Sequence, residues 1–142
     1  MRSISFVAVA CAVVGCSQPR PEKAYTKASD LPAKFYLDCS APRPAGNQLP
    51  EGTIDGFKMT VDLPAGKFSV PWQAGQQPIK EVSETEIVFV DWYVERGLDN
   101  NPMETKMRFD VPSGELIYRS IASARMPLNR SFAASCKVVG NA

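Results

Sequence analysis

Glu86-Ile87-Val88-Phe89-Val90-Asp91-Trp92-Tyr93-Val94-Glu95-Arg96 is the longest β-branched and aromatic run beyond the N-terminal apolar segment, and it holds neither Gly nor Pro. Side chains of this kind fit a pleated surface, so the run predicts a strand near the centre of a sheet. Its even positions, Val88, Val90, Trp92 and Val94, are wholly apolar and are expected to face the core. The odd positions Ile87, Phe89 and Tyr93 are interrupted by Asp91, which predicts only partial cover on that side. No helical stripe emerges from the run.

On either side of it the same period of two recurs. Phe35, Leu37 and Cys39 alternate with Tyr36 and Asp38. Phe57, Met59, Val61 and Leu63 alternate with Lys58, Thr60 and Asp62. Further strands are expected at about Gly66–Pro71 and Pro78–Val82. Met107, Phe109 and Val111 point inward in a sixth, Glu115–Ala122 forms a seventh, and Ser131–Val139 an eighth with Phe132, Ala134, Cys136 and Val138 on one face. Val61-Asp62-Leu63-Pro64-Ala65-Gly66-Lys67-Phe68 is matched later by Phe109-Asp110-Val111-Pro112-Ser113-Gly114-Glu115-Leu116. Both stretches predict a tight hairpin turn, with Gly as its left-handed residue and Asp in a structural place beside the turn.

Connection lengths alternate. Pro64-Ala65, Ser83-Glu84 and Pro112-Ser113 are short, whereas Ala41–Asp55, Trp72–Gln77, Gly97–Pro102 and Ser123–Arg130 are long. In an antiparallel meander, alternate connections fall at opposite ends. The fold class is therefore all-β: an antiparallel up-and-down barrel of eight strands, with a β-sandwich of the same strands as the alternative. The tight turns and both termini would share one end, and the long loops the other. That loop rim carries the candidate binding residues Arg43, Trp72, Arg96, Arg125 and Arg130, because Trp and Arg dominate binding surfaces and loops on a rigid scaffold tend to hold function. Trp72 has a second reading, as a lid folded back on the core.

The N-terminus reads as a targeting segment. Arg2 precedes an apolar run, Ile4–Gly15, too short to span a bilayer as a helix. The run ends in Val13-Val14-Gly15-Cys16, which resembles the bacterial lipobox. That resemblance implies cleavage before Cys16, a lipidated thiol and stable attachment through several acyl chains. Ser17 in place of Asp resembles the outer-membrane sorting pattern, so the implied location is the outer membrane, facing the periplasm. A soluble secreted or periplasmic product is the alternative. The expected organisation is a lipoprotein signal peptide at 1–15, a flexible polar tether at 16–33 reaching about 20–25 Å, and a β-barrel domain at 34–142.

Four cysteines are present. Cys11 leaves with the signal and lipidation occupies Cys16, so Cys39 and Cys136 remain as a pair. They fall on the inferred core faces of the first and last strands, which barrel closure makes neighbours. A bridge there closes a loop of about a hundred residues, worth about 4–5 kcal/mol on a chain-entropy argument.

Composition narrows the function. Sixteen Lys and Arg against 15 acids give no field for nucleic acid. The chain has no His, which removes the commonest general base and metal ligand. No phosphate loop, G-x-S-x-G or Asp-rich cage appears, so no cofactor or metal is expected. Asp91 and Glu95 share a strand face near Glu84 and Glu86, the one arrangement a carboxylate-based hydrolase could use. It reads more simply as the polar side of a sheet, balanced by Lys106 and Arg108. The expectation is a non-catalytic binding or envelope-interaction module. Its partners would be the membrane, through the lipid anchor, and an envelope protein or small ligand.

One further resemblance is to membrane-bound inhibitors of c-type lysozyme. It rests on Tyr36 in Phe35-Tyr36-Leu37-Asp38-Cys39, on the two cysteines and on the strand count. It implies an eight-stranded barrel and a protein inhibitor of a cell-wall hydrolase. Ser113-Gly114 is followed by Glu-Leu-Ile-Tyr instead of that family's Ser-Gly-x-x-Tyr, so no inhibitory residue is carried over.

Overall fold

The computed structural model describes residues 24–123 and 127–140. The stretch 1–15 read as a signal peptide, Cys16 and Arg125 lie outside the described residues. The strands are β1 (Lys34–Cys39), β2 (Arg43–Pro44), β3 (Phe57–Asp62), β4 (Lys67–Val70), β5 (Gln73–Pro78), β6 (Glu81–Val82), β7 (Glu86–Val94), β8 (Met103–Asp110), β9 (Glu115–Ala122), β10 (Leu128–Asn129) and β11 (Phe132–Gly140). They form one antiparallel sheet in the order β5-β4-β3-β1-β11-β9-β8-β7-β6, with β2 beside β11 and β10 beside β9. This is the expected meander, curled into a half-barrel around one core, and not the two layers of a sandwich.

The fourth predicted strand is where the barrel parts. In place of one strand over Pro78–Val82 there are two, on opposite edges of the sheet. β5 pairs with β4, and β6 pairs with β7. Continuing the Glu81–Val88 register backward would set Gln77 opposite Trp92, but Gln77 lies opposite Phe68. Pro78 has no amide hydrogen to give a second neighbour and so suits an edge. Between the two strands, Ile79 donates its amide hydrogen to the Gly66 carbonyl at 2.8 Å and Lys80 donates to that of Val88 at 3.0 Å. The two edges of the sheet thus meet at a single point.

The alternating strands bury the faces expected of them. Phe35 and Leu37 from β1, Met59 and Val61 from β3, Met107 and Phe109 from β8, and Phe132 and Ala134 from β11 are all buried in one cluster. Each large apolar side chain so placed contributes about 1.5–3 kcal/mol. The central run departs from expectation. Ile87 and Phe89, on the odd face, are fully buried, and Phe89 meets Phe68 at 5.0 Å between ring centroids. A bulge then switches the facing. Val88 lies opposite Arg108 and Val90 opposite Met107, so one extra residue sits on β7 and the inward face changes from odd to even there. Val90 then packs against the core, while Trp92 is 45% exposed.

Cys39 and Cys136 are bridged, and they lie directly opposite each other in the β1–β11 ladder. Ser40 donates its amide hydrogen to the Ser135 carbonyl, so the cysteines occupy a non-hydrogen-bonded position, where facing residues come closest.

Part of the segment assigned to the tether is built into the domain. Ala28–Asp30 form one 3-10 turn, and Ala28 and Leu31 are buried in the core cluster. Ala28 donates its amide hydrogen to the Glu84 carbonyl, and Leu63 donates to that of Ala33. Lys27 pairs with Glu84 at 3.1 Å. The N-terminal segment therefore sits over the tight-turn end of the half-barrel.

Candidate functional site

At the other end, β5 and β7 diverge above Lys80 and leave a cleft of about 590 Å³. Trp72 and Gln73 stand on one side, Asp91 and Trp92 on the other, and Phe89, Met107 and Tyr118 lie along its floor. Its position follows from two local features. Val70 and Gln73 face each other across the two-residue link Pro71-Trp72, which turns the chain sharply and carries the indole over the top of the core. On the far wall, the β7 bulge brings Trp92 to the cleft rather than to the outer surface.

Trp72 is the hub of an aromatic cluster. Its ring meets Phe57 edge-on at 5.2 Å, Tyr118 at 5.4 Å and Phe132 edge-on at 6.0 Å. Edge-to-face pairs of this kind are favoured by the ring quadrupoles, each worth about 0.5–1.5 kcal/mol beyond burial. The indole is only half-buried. Both readings of Trp72 therefore hold, since it closes the core on one side and presents surface to the cleft on the other.

A second, smaller cleft of about 390 Å³ adjoins Trp72, lined also by Gln48, Leu49, Glu51 and Arg130. Arg130 donates from Nε to Gln48 Oε1 at 3.3 Å. Asn47 ties the same loops together: its side-chain nitrogen donates to the Pro127 carbonyl, and its side-chain oxygen accepts the amide hydrogen of Asn129. Ser123 donates to the Pro102 carbonyl, which joins the β7–β8 loop to this group. Three of the four expected long loops gather at one end; the fourth, Trp72–Gln77, is instead a two-residue turn followed by β5.

Of the candidate binding residues, Trp72 and Arg130 come together. Arg43 stands apart, on β2 against the sheet wall, where its guanidinium approaches Ser135 Oγ and Glu115 Oε1, each at 3.5 Å. Arg96 is exposed just beyond β7 and lines neither cleft. Arg125 and Cys16, the residue expected to be lipidated, fall outside the described residues.

The carboxylates are dispersed. Asp91 lies opposite Lys106 on β8, and Glu104 pairs with Arg119 across β8 and β9. Asp62 and Asp110 belong to turns, as their sequence context predicts. Among the described residues, no group of three or more His, Cys, Asp or Glu side chains is placed to hold a metal ion.

Sequence reasoning overlooked Trp92, Gln73, Lys80 and Tyr118 as cleft residues. Trp92 belongs to the even face expected to turn inward; it does so, but against an open cleft, because the fourth strand is split. Comparison with known proteins returns no matching family model, no similar curated protein and no solved structure of similar fold.

Proposed function

We propose that this protein is a lipid-anchored, periplasm-facing lipoprotein of the outer membrane, and that its half-barrel is a non-catalytic binding module that receives its ligand in the cleft between β5 and β7. The anchor reading rests on the lipobox-like Val13-Val14-Gly15-Cys16. The binding reading rests on one observation above the others. A concave, largely apolar cleft flanked by Trp72 and Trp92 lies at the end of the domain away from the N-terminal segment. A few polar groups, Gln73, Asp91 and Thr105, converge on the same space, which is the composition of a ligand pocket. A tether entering at the tight-turn end would present this cleft away from the membrane.

Site-specific photo-cross-linking in intact envelopes tests the reading. A photoreactive residue at Gln73 or Arg130 is expected to trap a partner or ligand, whereas one at Lys58, exposed on the outer face of β3, is not. Equal capture from Lys58 would make the barrel wall the working surface.

A further inference from the structure

The split of the fourth strand leaves two lengths of backbone beside one cleft with no strand across from them among the described residues. Among these residues, Gln73–Gln77 is paired only with β4, and Asp91–Val94 only with β8. Every non-Pro residue of a strand carries a backbone donor and acceptor, and an edge leaves about half of them without a ladder partner. The first edge is blunted: Gly75 is left-handed at φ +80, and the register slips between Phe68 and Val70. The second is open. From Asp91 to Val94 it has neither Lys nor Pro, and Trp92 and Tyr93 are 45% and 59% exposed.

We propose that the cleft takes an extended polypeptide segment of another envelope protein, added as a strand along Asp91–Val94. This rests on the cleft being the binding site and names its ligand class. Backbone groups on an open edge are matched by another backbone in extended form, which is the principle of strand addition. A strand's side chains alternate between its two faces, so every second guest residue would enter among Trp72, Phe89 and Trp92 while the others stay in water. Lys80 and Asp91 put opposite charges on the same cleft, which favours a guest without strong net charge. A glycan would use the aromatic faces yet leave the β7 edge amides exchanging with solvent.

The probes are a short soluble peptide of alternating Val and Thr, two versions of it N-methylated at alternate residues in one phase or the other, and an N-acetylglucosamine oligomer. Binding is read by tryptophan emission and by amide hydrogen exchange. The unmodified peptide is expected to bind and to slow exchange at Trp92–Val94 by at least about tenfold. N-methylation in one phase should abolish binding, and in the other phase leave it. Trp92→Ala should weaken binding on the order of tenfold, and Tyr93→Lys, a charge on the exposed edge, should do the same with the melting temperature preserved. Binding without protection of the edge, or equal binding by both methylated peptides, overturns strand addition. Binding of the oligomer alone also overturns it but leaves the cleft as the binding site. If neither probe binds, strand addition fails, and the cross-linking experiment separately decides whether the cleft is used.

Discussion

Asp62 and Asp110 hold equivalent places at the ends of two hairpins. Each carboxylate accepts the amide hydrogen of the residue three further on, Ala65 at 3.0 Å and Ser113 at 2.9 Å. The Ala65 hydrogen bond, then Lys34, holds the Asp62 carboxyl below its ordinary value of 3.8. The Ser113 hydroxyl, then its amide, lowers that of Asp110. A carboxyl with a depressed folded-state value contributes stability that is complete above the ordinary value and is lost as pH falls through the depressed one. The acid limb of stability should therefore flatten in an Asp62→Asn, Asp110→Asn double variant, which keeps an oxygen acceptor at each turn but cannot titrate. Melting temperature measured from about pH 5 down to about pH 2 checks this. An acid limb identical to that of the parent would refute it.

The Cys39–Cys136 bridge spans 97 residues of sequence. Its removal as Cys39→Ala, Cys136→Ala is expected to cost about 2–5 kcal/mol in urea unfolding while the β circular-dichroism signature persists. Unchanged stability would mean that the bridge constrains little in the unfolded chain.

Core facing at the β7 bulge makes a sharp contrast. Phe89→Ala should cost about 3–5 kcal/mol, the range for a buried aromatic whose neighbours cannot collapse onto the gap. Tyr93→Ala, at an exposed position, should shift stability by less than about 0.5 kcal/mol. Denaturant midpoints of the two variants compare them directly. A Phe89→Ala variant as tolerant as Tyr93→Ala would restore the even positions as the inward face throughout the strand.

Lipidation predicts that the mature N-terminal peptide carries acyl chains on Cys16, visible by mass spectrometry. Cys16→Ser should move the protein from the membrane fraction to the soluble one. A Cys16→Ser protein that still sediments with membranes would remove the anchor from the proposal.

Charge reversal separates the loop end from the wall. Reversing Arg130, exposed beside Trp72, is expected to weaken partner capture with little change in melting temperature, since exposed charges contribute about 0–1 kcal/mol to folding. Reversing Lys58 and Arg108, both exposed on the strand wall, should leave capture intact. Loss from the wall pair alone would contradict the loop-end reading.

The parts of the fold legible in the sequence are those in which one face of a strand is buried and the other is wet. Phe57-Lys58-Met59-Thr60-Val61 states its own orientation, and the two Asp-to-Gly turns state theirs. β7 does not, because both of its faces are apolar before Asp91, and a single inserted residue reverses which one points inward. β5 was missed for a related reason. Gln73, Ala74, Gly75 and Gln76 are all exposed, so the strand buries no face and leaves no hydrophobic period to read. Ala28 and Leu31 were assigned to a tether because a one-turn plug needs only two apolar contacts, too few to stand out from a polar segment. Within the candidate site, Arg130 is legible from loop length and residue type, and Trp72 from residue type alone, since it sits in a two-residue turn and not in the long loop expected over Trp72–Gln77. Trp92 stands on the face expected to turn inward, but nothing in the sequence shows that the split of the fourth strand leaves it beside an open cleft.

β1 lies between β3 and β11 in the sheet. For a chain that emerges from its N-terminus onward, this fixes an order of events. β3 can join β1 early, but the other edge of β1 stays bare until β11, the last of the described strands, has appeared. Phe35, Leu37 and Cys39 then wait with half of their cover missing, and the bridge to Cys136 cannot form. The sheet therefore cannot be completed progressively from the N-terminal side, and the core is closed only once nearly all of the domain is available.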